Sequence, residues 1–254
     1  MTNLENILYI IIFIYGIIFG SFLNVCIYRI PEKKSIAKER SHCMQCGYQL
    51  KWYDLVPVFS YLCLGGKCRK CKTHIAVQYP VVELANGILY LLVFLVNGFE
   101  ISSFLYCFLA SALIVLSVID FRTFEIPFGI NVFIFVLGVV RVITDYENWL
   151  DYVIGFFAVS SFMAIVILLT KGNGFGGGDM KLMAAAGLLI GWKYIILAFV
   201  VGCIIGSVCH VARMIITKTD HVMAFGPYLS MGIFITALWG NDMIQWYITS
   251  CMGR

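Results

Sequence analysis

Apolar residues in this chain run in long unbroken stretches, not in the one-sided stripe or strict alternation of a soluble protein. The stretches near 7–28, 80–97, 102–119, 127–143, 151–170, 180–190, 193–215 and 225–248 predict eight helices, the sixth being the shortest. About 20 apolar residues cross a bilayer as a helix. Backbone at that depth has no water to bond to, so these runs are read as helices and not strands. The first run, Ile7 to Ile27, lacks a basic leader and a small-residue cleavage site, so it reads as a span and not a removed signal. The expected fold is all-α: a polytopic membrane protein of about eight transmembrane helices.

Two polar interruptions organise the chain. Residues 30–78 form the one sizeable polar segment, with Pro31, Pro57 and two C-x-x-C pairs, and together with Arg29 hold ten of the 18 basic residues. They divide the chain into a first transmembrane helix (1–29), a cytoplasmic tetracysteine insert (30–78) and a membrane core of about seven helices (79–254). The second interruption, KGNGFGGG from Lys171 to Gly178, is too glycine-rich for sustained helix, since each glycine costs about 1 kcal/mol relative to alanine. It is expected to be an irregular entry to the sixth helix.

Composition agrees with a lipid solvent, because a chain 61% hydrophobic and 13% charged cannot bury its apolar surface within one soluble globule. The net charge of +4 does not point to nucleic acid, since the basic residues gather in one inter-helix segment. With the N-terminus outside, eight spans put 15 of the 18 Lys and Arg residues on the cytoplasmic side, leaving Arg141, Lys193 and Arg254 opposite. Lys38 and Lys218 are among the 15.

Cys43, Cys46, Cys68 and Cys71 form two C-x-x-C pairs 21 residues apart, slightly beyond the usual spacing of a four-cysteine zinc loop. Four thiolates make a closed tetrahedral site with no position for water, so zinc here is structural. His42 and His74 flank the pairs as substitute ligands or, by the plainer reading, loop residues. Cys107, Cys203 and Cys209 lie in apolar runs as packing residues, and Cys63 has no assigned role.

Charge near the bilayer is costly and so marks function. Asp120 closes the third run at LIVLSVID, and Asp179 follows GFGGG at the start of the sixth. The charge asymmetry puts both at one depth on the cytoplasmic side. Two carboxylates in partial burial can hydrolyse a peptide bond, one activating water and the other donating a proton. The glycines before Asp179, including Gly176 and Gly178, let an extended substrate backbone approach the carboxylate. The alternative at this stage is structural: Asp179 as a helix N-cap and Asp120 as a cap or interfacial charge.

GSFLNVCIYRIP (20–31), the C-x-x-C pairs, YPVVELANG (79–87), Asp120 with Ile126-Pro127, Gly176 to Asp179 with Met180-Lys181, and FGPYL (225–229) together resemble the type IV prepilin peptidases, in order and over nearly the whole chain. The resemblance implies an aspartyl protease of the G-x-G-D type, an aspartic endopeptidase with catalytic Asp120 and Asp179. It implies prepilin and type II secretion pseudopilin substrates, with a basic leader, a glycine before the cut and an apolar helix after it. It further implies a bifunctional enzyme that methylates the new N-terminus from S-adenosylmethionine, acting in the bacterial inner membrane beside the pilus or type II secretion machinery.

Remaining candidates keep two readings each. Asn24 is a helix-packing amide or a substrate contact. Glu83 lies near substrate or methyl donor, or pairs with a loop lysine. A basic leader would be met by Glu83, Glu125 or anionic lipid. Gly16 and Gly20 have the spacing of a close helix crossing. A rival class is a cation- or proton-coupled transporter using the paired aspartates; another is a membrane methyltransferase without protease activity.

Overall fold

The computed structural model describes residues 3–37, 40–172, 174–217 and 223–252. Lys38, Lys218 and Arg254, counted above in the charge asymmetry, lie outside the described residues. Among the described residues the protein is all-α: α1 (Asn3–Arg29), a short α2 (Phe59–Cys63), α3 (Gln78–Asn97), α4 (Ile101–Thr123), α5 (Phe128–Thr144), α6 (Trp149–Leu169), α7 (Gly177–Ile190), α8 (Trp192–Thr217) and α9 (Gly226–Met252).

Every predicted apolar run is therefore a helix, but not every helix is long enough to cross. Among the described residues α1, α3, α4, α6 and α8 have the length and apolarity of spans. Helix α5 has 17 residues. Helix α7 has 14, which at 1.5 Å per residue reaches only about 21 Å of a core about 30 Å thick. Its apolar character has another cause: Leu182, Met183, Ala186 and Leu189 are fully buried, and the helix packs against α5 and α6.

The chain divides into two compact units, residues 1–99 and 100–254. In the first, α1 and α3 run antiparallel at close range. A side chain at Gly16 would meet the Gly87 Cα at 2.7 Å, and one at Gly20 the Glu83 Cα at 2.7 Å. The expected crossing is thus present, and it brings polar groups together. Asn86 Nδ2 donates to the Gly16 carbonyl at 2.7 Å, and one turn beyond Gly20, Asn24 Nδ2 donates to the Tyr79 carbonyl at 3.1 Å. Such interhelical bonds contribute roughly 0.6 kcal/mol each in a membrane.

In the second unit α4 is the most enclosed span, with Leu109, Ala110 and Leu116 fully buried. It ends where Phe124 takes a left-handed conformation (φ 55°). Pro127 then sets the start of α5, because proline cannot continue a helix and forces its predecessor to extend. Gly226-Pro227 opens α9 in the same unit, proline being suited to the first turn.

Candidate active site

Asp120 lies in the last turn of α4 and is 4% exposed; Asp179 lies in the first turn of α7 and is 9% exposed. Both line one pocket of about 280 Å³, with Phe124, Glu125, Ile126, Gly176, Gly177 and Gly178. Residues 59 positions apart in the chain therefore share one small polar hollow.

Asp179 is not an N-cap. Helix α7 begins two residues before Asp179, Gly176 is the N-cap in an extended conformation, and Asp179 stands at the third helical position. From there its carboxylate takes a hydrogen bond from the Gly176 backbone, half of a capping box whose other half glycine cannot supply. The negative charge lies at the positive end of the helix dipole. Glycine content alone predicts an irregular chain through Gly178, but this capping draws Gly177 and Gly178 into the first turn.

Asp120 is held from a distant part of the chain. The Gly226 N–H donates to its Oδ2 at 2.9 Å. A Cβ at position 226 would lie 2.7 Å from that oxygen and 3.1 Å from Cγ, so only glycine permits this approach. A Cβ at Gly176 would lie 2.9 Å from Asp179 Oδ2, and one at Gly178 would lie 3.0 Å from Ile126 Cβ. Asn131 Nδ2 donates to the Gly178 carbonyl at 3.4 Å and braces the turn. Gly177 has open space where its side chain would be, so packing does not demand glycine there. Two buried carboxylates, each fixed by one backbone N–H and facing a pocket bordered by bare backbone, can hold a water and an extended peptide.

The cysteines converge in the first unit. The sulfurs of Cys43, Cys46, Cys68 and Cys71 all lie within 4.8 Å of one another, and Cys43 and Cys71 are 3.8 Å apart. Tetrahedral zinc at about 2.3 Å from each thiolate requires sulfurs about 3.8 Å apart, so the set fits that ion. The two turns share one geometry: Gly47 N–H bonds the Cys43 carbonyl and Lys72 N–H the Cys68 carbonyl, both donors being left-handed (φ 68° and 59°). Bridges His42–Gln49 and Lys67–His74 close the turns, so the histidines are loop residues. Asp54 ties the insert together, accepting from Arg69 Nε at 2.7 Å and Lys51 N–H at 3.2 Å. Burial raises its carboxyl, but the Arg69 and Lys51 bonds outweigh that and hold it below its ordinary value.

Residues 14–97 match the bacterial peptidase A24 N-terminal domain, and residues 107–211 match the type IV leader peptidase family. A prepilin leader peptidase/N-methyltransferase of Bacillus subtilis (strain 168) is 32% identical over 96% of this chain and 99% of its own length. The chain belongs to the type IV leader peptidase family. Proteins of the same name from Vibrio cholerae (37% identical over 79% of this chain and 85% of the relative) and Stutzerimonas stutzeri (31% over 92% of each) are also similar. No solved structure matches the chain. The transporter alternative finds no support in these comparisons.

Within this leader peptidase Asn24 and Glu83 fall in the first unit. Asn24 is 2% exposed and engaged with the α3 backbone. Glu83 is buried and pairs with no lysine among the described residues: it accepts the Val58 N–H at 2.7 Å and a bond from Ser21. Cys107 is buried as expected, but Cys209 is exposed on apolar α8, and Cys63 is exposed on α2. The sequence alone assigns no role to Gly226 or Asn131. A glycine directly before a proline at a helix start is the available signal for Gly226, though nothing local names a partner 106 residues away.

Proposed function

We propose that this multi-pass membrane protein is an aspartyl endopeptidase that cuts the basic leader from prepilins and type II secretion pseudopilins and methylates the exposed N-terminus. The observation that carries the proteolytic reading is the shared pocket of Asp120 and Asp179. A water between the carboxylates is activated by the ionised one, while the protonated one donates to the scissile carbonyl oxygen. Peptide in extended form approaches over Gly176, Gly177 and Gly178. Glu125, exposed at the same pocket, meets the basic leader, whereas the Glu83 carboxylate is committed to Val58 and Ser21. The reading puts the pocket at the cytoplasmic face of the bacterial inner membrane, with residues 30–78 as the cytoplasmic insert. Products pass to the pilus or secretion machinery.

Zinc held by Cys43, Cys46, Cys68 and Cys71 fixes the fold of the insert and takes no part in hydrolysis. S-adenosylmethionine, the donor implied by the methyltransferase name, supplies an electrophilic methyl for the new amine; no residue of this chain is assigned to hold it. The test is cleavage of a prepilin-like peptide in detergent by Asp120→Asn and Asp179→Asn, beside methylation of a pre-cleaved peptide. Loss of cleavage with methylation and zinc retained supports the reading. Undiminished cleavage in either variant removes it.

A further inference from the structure

The short helix α2 lies outside the spans yet carries an apolar surface. Phe59 is 68% exposed and Leu62 is 67% exposed, and their spacing of three puts them on one side of the helix. Leu55 and Val56, just upstream, are exposed as well. Within a polar insert such a cluster marks a candidate interaction surface.

The depth of this helix follows from α3. Span α3 runs Gln78–Asn97, and its 20 residues match the hydrocarbon thickness of about 30 Å. Its first residues therefore mark one boundary of the bilayer. Tyr79 stacks on Tyr28 of α1 with ring centroids 5.6 Å apart, the amphipathic aromatic pair expected at headgroup level. Glu83 lies one turn deeper than Tyr79, and its carboxylate holds the Val58 N–H at 2.7 Å. Val58, β-branched, is drawn into a positive φ of 61°, a conformation that persists only where surrounding contacts impose it. Because helical side chains lean toward the N-terminus of their helix, the Glu83 carboxylate reaches back toward Tyr79, and the residue immediately before α2 is thus held near the aromatic level.

We propose that α2, with Leu55 and Val56, is an interfacial anchor of the insert, its Phe59 and Leu62 side chains lying in the headgroup–acyl boundary of an anionic leaflet. Charge supports that occupant. Lys51, Lys67, Lys70 and Lys72 are exposed in the same insert, and the only acidic residues of 30–78 are Glu32, Glu39 and Asp54. Apolar insertion combined with nearby lysines is the pattern of monotopic binding to anionic lipid. A basic leader peptide is repelled by the same charge. Through this tether Glu83 fixes the depth of the insert relative to α3.

The experiment places p-azidophenylalanine at Phe59 or, separately, Leu62 in the full-length zinc-loaded protein, in phosphatidylglycerol nanodiscs. Irradiation is followed by mass spectrometry. Lipid adducts are expected at both positions within about threefold of the yield at Ile10, an exposed residue of span α1. Glu83→Ala, which releases Val58, is expected to lower the yield at position 59 at least threefold with zinc retained. Adducts to an added prepilin peptide or a second copy in place of lipid, or no adduct above the probe-free protein while Ile10 labels, would overturn the proposal.

Discussion

The aspartate pocket and the cysteine cluster are both built by bringing distant residues together, and they differ in what they leave open. The cysteine cluster satisfies itself: four sulfurs lie within 4.8 Å of one another as a full ligand set, and the backbone of each turn is closed by its own hydrogen bonds. The aspartate pocket holds each carboxylate by one backbone N–H, from Gly226 or Gly176, and leaves about 280 Å³ beside them. A closed donor set makes structure, and an open one makes room for a substrate. Glu83 adds the intermediate case, a buried carboxylate whose acceptors are taken by the protein's own loop.

That contrast can be broken by substitution, beginning with the approach of Gly226 to Asp120. Gly226→Ala puts a methyl 2.7 Å from the carboxylate oxygen with Leu116 also at 3.1 Å, and cleavage kcat is expected to fall about 100-fold through misplacement alone. Gly129→Ala, where a Cβ meets nothing within 4 Å, is the control and should change little. Gly176→Ala is expected to cost about 10-fold, since only the far end of the Asp179 side chain must give way. Wild-type cleavage in both variants would show that the N–H geometry is not what holds the pocket.

On the substrate side, Glu125→Lys should raise KM for a basic leader roughly fivefold with kcat unchanged, a split that steady-state kinetics reads directly. Cys68→Ser is expected to release zinc and the amide protection of 41–75, measured by metal analysis and hydrogen exchange. Detergent-phase cleavage should fall less than in Gly226→Ala. The smallest effect belongs to Arg69→Ala. The Asp54 carboxyl, lowered in the folded insert, contributes stability above the ordinary aspartate pKa of about 3.9 and loses it as pH falls through the depressed folded value. Removing Arg69 raises that folded value, so acid exchange at residues 51–54 should begin at higher pH than in wild type.

Much of this was legible in the chain because hydropathy is a local signal. All eight apolar runs are helices, and the two aspartates and four cysteines meet in the groups their patterns predicted. What local patterns did not distinguish was burial by protein from burial by lipid. An apolar run such as 180–190 reads alike in either setting, and α7 is too short to be an ordinary span. Glycine propensity alone places the start of α7 too late, because it ignores the bond between the Asp179 carboxylate and Gly176. Gly226 and the Glu83–Val58 tether were illegible for one reason: each is a backbone N–H meeting a carboxylate remote in the chain, and nearly every residue has such a donor.

The central claim is that Asp120 and Asp179 act as one unit on one water, and a double-mutant comparison tests it most directly. Cleavage rates of Asp120→Asn, Asp179→Asn and the double variant would be measured in detergent after zinc content and helicity are matched to wild type. Residues that act together lose their effect together. Each single variant is therefore predicted to lose at least about 1,000-fold, with the double no more than about 10-fold worse than either. Single losses that multiply in the double variant, or a single variant that still cleaves at the wild-type rate, would contradict it.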